Sequence, residues 1–188
     1  MRLENSFEVP ASVEQSWRLL NDVPSVVPCM PGAELVETVA DDAWQAKLHV
    51  RLGPIALQFL ADVVREQRDE AAGRVVLRVD ARESKGRGSA QATIESALTA
   101  ANGGTRVDLV TDLTLRGAVA QYGRGVVADV ASRLTGQFAD CIAGKLADPA
   151  APAAASPARL EPVGGLRLLL AALRRALLQR GRREGAAP

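Results

Sequence analysis

At 188 residues and 19.8 kDa the chain has room for one domain of ordinary size plus an appendage, but not for two full domains. Hydrophobic residues make up 47% and charged residues 24%, which excludes a disordered or collagen-like chain, while an aromatic content of 3% leaves Ala, Val and Leu to line the interior. The formal charge of +1 conceals a division: residues 1–158 carry 16 basic and 20 acidic side chains, whereas 159–188 carry seven Arg against Glu161 and Glu184. A nucleic-acid domain would place its positive charge on the folded body, so no nucleic-acid partner is expected, and the basic tail suits an anionic partner or lipid surface.

Leu3, Phe7 and Val9 share one face at period two, so Arg2 to Val9 reads as a half-buried strand. Ser12 with Gln15 three residues on has capping-box spacing, and Trp17, Leu19 and Leu20 give the helix that follows an apolar side until Asn21 and Asp22. Pro24, Pro28, Pro31 and Gly32 then allow at most one irregular helical turn, a candidate lid over Val26 to Gly32. From Ala33 come six extended segments. Trp44, Ala46, Leu48, Val50 and Leu52 alternate with polar residues; Ile55, Leu57, Phe59, Ala61 and Val63 repeat the pattern, and so do Val75, Leu77, Val79 and Ala81. Ala90, Ala92, Ile94 and Leu98 follow, and Val107, Leu109, Leu113 and Leu115 close a series of seven strands.

After Gly117 the period lengthens, with Val119, Tyr122, Val126, Val130, Leu134, Phe138 and Ile142 on one stripe of a helix of roughly 30 residues, about 45 Å long. Gly123, Gly125, Gly136 and Gly144 weaken that helix and suggest close backbone approach or bending. Residues 147–165, rich in Pro and Ala and ending in Gly164-Gly165, form a linker. Beyond it, residues 166–188 read as a basic amphipathic helix, with Leu166, Leu169, Leu170, Leu173 and Leu177 on one face and Arg167, Arg174 and Arg175 opposite. Its continuous apolar run is far shorter than the ~20 residues a spanning helix needs.

No nucleophile with a base, metal-ligand cluster or phosphate loop stands out. His49 lies on the polar side of its strand. Gly86-Arg87-Gly88 precedes a strand and lacks the Lys-Ser/Thr of a phosphate loop, so it reads as a hairpin turn. Asp41-Asp42 and Asp69-Glu70 sit at turns, and Glu37 has no partner acid or base. Cys29 and Cys141 form at most one bridge and resemble no disulfide framework, so the default is a reducing compartment, with Cys29 packed or lining a pocket. Met1 to Pro10 lacks the basic start and apolar run of a signal peptide, and a cytoplasmic location is expected.

This order of elements implies an α+β fold in which a seven-stranded curved antiparallel sheet, with two short helices after its first strand, wraps around a long C-terminal helix. Leu48, Val50, Leu57, Phe59, Leu77, Ala92, Ile94 and Leu109 from the strands, with Tyr122, Val126 and Val130 from the helix and Val26, Cys29 and Met30 from the lid, line the shared interior. Apolar periodicity alone does not separate a cavity from a packed core.

Cys29-Met30-Pro31-Gly32-Ala33-Glu34-Leu35, Gly86-Arg87-Gly88-Ser89-Ala90-Gln91-Ala92-Thr93, Gly104-Thr105-Arg106-Val107 and the Gly117-to-Gly125 helix start together resemble the G-subunit family of carbon monoxide dehydrogenase, within the helix-grip, START-like superfamily. The likeness covers residues 1–146 as a hydrophobic-ligand-binding domain. It implies a noncatalytic accessory protein whose cavity takes a quinone, menaquinone or ubiquinone, beneath an opening lid. In that picture it links a molybdenum carbon monoxide dehydrogenase or related hydroxylase to the inner face of the cytoplasmic membrane for electron transfer, with the tail on the lipid surface or on a protein. Two other readings remain: a recruitment adaptor with a filled core, and a START-like cyclase or hydrolase with a polar constellation near Glu37, Asp112 or Tyr122.

Overall fold

The computed structural model describes residues 1–52 and 55–147; most of the linker and the whole amphipathic segment lie outside the described residues. Strand β1 (Arg2–Val9) leads into α1 (Val13–Asn21), and α2 (Val23–Val26) and a 3-10 turn (Val27–Cys29) follow. Strands β2 (Ala33–Ala40), β3 (Ala43–Leu52), β4 (Ile55–Asp69), β5 (Arg74–Glu83), β6 (Gly88–Ala101) and β7 (Gly104–Gly117) then run as a meander. A second 3-10 turn (Ala118–Gln121) precedes α3 (Arg124–Ala147). All pairs are antiparallel, in the order β1-β7-β6-β5-β4-β3-β2, which leaves β1 and β2 as the edges.

The local chemistry explains the elements. Ser12 Oγ accepts from the Gln15 backbone N–H and the Gln15 side chain accepts from the Ser12 N–H, so the capping box forms and α1 starts where its side chains satisfy orphan donors. Pro24 near the start of α2 and Pro28 within the next turn lack the N–H that a longer helix needs, and the lid segment stays in two short pieces. Gly88 and Gly117 face each other across β6 and β7 with positive φ, and a Cβ on Gly117 would lie 2.8 Å from the Gly88 Cα. The Gly86-Arg87-Gly88 segment is therefore a turn whose glycine serves backbone approach, not a phosphate cradle.

The long helix differs from its expected form in three ways. It begins at Arg124 instead of near Gly117, because the positive φ of Gly117 turns the chain into a separate 3-10 turn first. That break resets the phase, so Val127 is buried and Val126 is 45% exposed, a correction to the stripe that placed Val126 inward. The helix glycines do not answer a close approach either: a Cβ on Gly123, Gly125, Gly136 or Gly144 meets nothing within 4 Å.

The cysteines give a further correction. Cys29 and Cys141 are joined in a disulfide with Cα atoms 5.3 Å apart, so neither thiol is free and the expectation of reduced cysteines does not hold. The 3-10 turn and α3 bring together two residues 112 positions apart in sequence, and spacing along the chain could not reveal that proximity.

Candidate functional site

Directly opposed residues of an antiparallel sheet project to the same side. Phe59 opposes Leu48 on β3 and Glu83 on β5, and Leu57 opposes Val50. Leu77 opposes Ile94, Val79 opposes Ala92, and Leu109 opposes Ser96, which follows Ile94 on the same side of β6. The eight strand residues expected to line the interior therefore share the face on which α3 packs. His49 and Asp112 belong to the other face, since their strand neighbours Leu48 and Leu113 point inward, and so does Glu37, which opposes Gln45 between the inward Trp44 and Ala46. Tyr122 packs half-buried at the end of the inner face, so the structure does not bring it together with Glu37 and Asp112.

Burial along this face is uneven. One buried cluster joins Phe7, Trp17, Val75, Leu98, Val107 and Ile142, and it takes in Val26 and Cys29 from the lid segment. Phe138 of α3 meets Phe7 edge to face at 6.0 Å. A second cluster joins Leu57, Phe59, Ala61, Ala81 and Val119, with Leu48 and Tyr122 packed on it. Between the two, Ala92, Ile94 and Leu113 are only half-buried although they lie mid-strand on the inner face, as are Leu77 and Leu109 at the margin of the first cluster, Val79 at the margin of the second, and Val130 and Leu134 of α3. The helix α3 lies closest to β1, the lid turn and α1 and leaves the middle of the grip incompletely covered, so solvent reaches an apolar floor. Val50 and Met30 are also half-buried. A separate depression of about 260 Å³ between Val9, Pro10 and the Asn102-Gly103 turn lies at the opposite end of β6 and β7, away from the second cluster and the apolar floor.

Polar groups also project to the inner side: Asn5 and Ser96 oppose Leu109, Thr111 opposes Ile94, and a charged pair lies beside the second cluster. The Glu83 side chain is fully buried and accepts from Arg87 Nη2 at 2.7 Å and from the backbone N–H groups of Lys85 and Arg87 at 2.9 and 3.1 Å. Arg87 holds this carboxyl down to about 2 from the ordinary 4.5, with the backbone donors adding to the effect against the opposing influence of burial. Arg87 also donates to the Ala56 carbonyl at 2.8 Å, while its Nε–H is buried without an acceptor. This ion pair was missed in the sequence, where i, i+4 spacing at a hairpin turn carries no helical signal. At the other edge, Arg65 stacks over Trp44, pairs with Asp42 and donates to the Asn21 carbonyl at 2.8 Å, tying α1 to β3 and β4. Among the described residues no group of three His, Cys, Asp or Glu is placed to hold a metal ion, and no helix is long and apolar enough to cross a membrane.

A curved seven-stranded antiparallel sheet gripping a C-terminal helix, with short helices after its first strand, defines the START/Bet v 1-like class. The fold is similar to that of a conserved protein from Geobacillus kaustophilus (TM-score 0.70, 23% identity, 78% of this chain and 95% of that one). It is also similar to the ZhuI aromatase/cyclase from Streptomyces sp. R1128 (0.57, 15%, 82% and 98%) and to Ara h 8.0201 (0.51, 17%, 78% and 97%). No curated protein sequence matches the chain. Residues 6–147 match the family model of CoxG, the G subunit of carbon monoxide dehydrogenase, and the chain belongs to that family.

Proposed function

We propose that the protein is a noncatalytic accessory of a molybdenum carbon monoxide dehydrogenase or a related hydroxylase, which holds a respiratory quinone, menaquinone or ubiquinone, and links the enzyme to the cytoplasmic membrane for electron transfer. The observation that carries this reading is the half-buried apolar floor of Ala92, Ile94 and Leu113 between two closed clusters, flanked by Leu77 and Leu109 at the margin of the first. A flat apolar ring and an isoprenoid chain suit such walls, because burying them removes apolar area from water at both surfaces. The polar end of the grip also fits a quinone: the unpartnered Arg87 Nε–H and the Tyr122 hydroxyl are donors suited to its carbonyl oxygens. Family membership supports the enzyme partner. The basic amphipathic segment 166–188 supports the membrane link by its sequence.

Lipid extraction and mass spectrometry of gently purified protein, together with uptake from quinone-loaded liposomes, test the ligand. Recovery of a quinone at near-stoichiometric level is expected. An empty extract combined with no uptake would reject this reading.

A further inference from the structure

The end of the sheet beside the second cluster gathers exposed cations, whereas at the opposite end Arg65 and Arg74 are paired with Asp42 and Glu95. Arg51, next to last in β3, opposes Ala56, whose carbonyl accepts from Arg87 in the β5–β6 turn. Arg82 opposes Ser89, and Ser89 opposes Arg116 at the end of β7. Arg124, which opens α3, donates to the Arg2 carbonyl at 3.1 Å and so joins the same end. Arg51, Arg82, Lys85, Arg116 and Arg124 are all exposed. The carboxylate among them is Glu83, which is buried and already neutralised by Arg87. Of the other acids towards this end, Glu4 is bridged to Arg2, Asp80 lies 3.5 Å from Arg78, Asp112 opposes Arg2, and the exposed Asp129 lies one turn into α3 from Val126. At the opposite end, the β2–β3 and β4–β5 turns present Asp41-Asp42 and Asp69-Glu70.

Two aliphatic side chains lie exposed among these cations: Ile55 at the start of β4 (38%) and Val126 in the first turn of α3 (45%). Cations around exposed aliphatic groups match a lipid interface, where the charges meet anionic headgroups and the apolar groups enter the acyl boundary. A purely acidic protein face would match the cations and leave the aliphatic groups in a polar contact. We infer that the folded domain itself docks on an anionic bilayer through this basic end, independently of residues 166–188. The end of the grip that holds Tyr122 and Arg87 then faces the lipid. This deepens the membrane part of the proposed function and needs no bound quinone.

The test uses the full chain and quinone-free phosphatidylcholine vesicles with and without phosphatidylglycerol. Arg51→Gln/Arg82→Gln/Arg116→Gln, with the tail intact and folding confirmed by circular dichroism, is expected to lower partitioning onto the anionic vesicles by roughly 100-fold, about fivefold per cation, and to leave the weak binding to neutral vesicles unchanged. Arg174→Gln/Arg175→Gln should lower it separately, leaving a salt-sensitive remainder. Val126→Trp should be quenched by brominated lipid, and Val39→Trp at the opposite end of the sheet should not. Wild-type partitioning of the triple variant, or a vesicle-bound Val126→Trp protein without quenching, would overturn the proposal. The first result would leave the tail, or an acidic protein partner, as the seat of docking. Failure of quinone uptake would leave this result standing, because the vesicles carry none.

Discussion

The inner face of the grip is built in two manners. Around Ile142 the side chains interlock: Phe7, Val107 and Leu98 from the sheet meet Trp17 from α1 and the disulfide-linked Cys29, and Ile142 itself has no exposed surface. Around Ile94 the same kind of residues on the same face remain half-buried, because α3 approaches β1, the lid turn and α1 most closely and leaves the centre of the sheet less covered. The comparison separates a packed part of the face from an open one. One region closes the fold, and the other keeps apolar surface available at low cost in packing.

The largest test of that division is a matched pair of truncations. Ile142→Ala should destabilise the domain by about 2–5 kcal/mol in urea unfolding, since the cavity has no room to relax. Ile94→Ala should cost under about 1 kcal/mol, because water already reaches the site, yet weaken quinone uptake. Equal costs at the two positions would erase the distinction.

The disulfide comes next in size. Cys29→Ser/Cys141→Ser, or reduction by a dithiol, should lower stability by about 2–4 kcal/mol, since the bridge closes a loop of more than a hundred residues in the unfolded chain. It should also loosen the lid turn from α3, which hydrogen exchange at Val26 to Met30 would report.

The smaller effect is pH-dependent and belongs to the basic end. The Glu83 carboxyl is lower in the folded state, at about 2, than its ordinary 4.5, so the unfolded chain binds the proton more readily. The stability this group supplies is fully present above about pH 4.5 and is lost as pH falls toward about 2. Glu83→Gln should flatten that part of the acid-unfolding profile, and an unchanged slope would show that the pair contributes nothing there.

Strand parity was legible in the sequence, because Leu48, Val50, Leu57 and Phe59 alternate with polar neighbours and a period of two allows one inward set per strand. The capping box at Ser12 and Gln15 was legible for a similar reason, its donors and acceptors lying within one turn. The phase of α3 was not, since an apolar stripe read continuously from Val119 hides the break that Gly117 introduces and puts Val126 where Val127 belongs.

By itself the sequence determined the order of elements, the inward set of every strand but β2 and the small size of the interior side chains, all of them matters of residues near one another in the chain. Only the tertiary structure decided that Cys29 meets Cys141, that Arg87 neutralises a buried Glu83, and that arginines from β3, β5, β7 and α3 gather at one end. Those features depend on how an antiparallel meander returns distant residues to the same edge of the sheet, and local periodicity contains no measure of that distance.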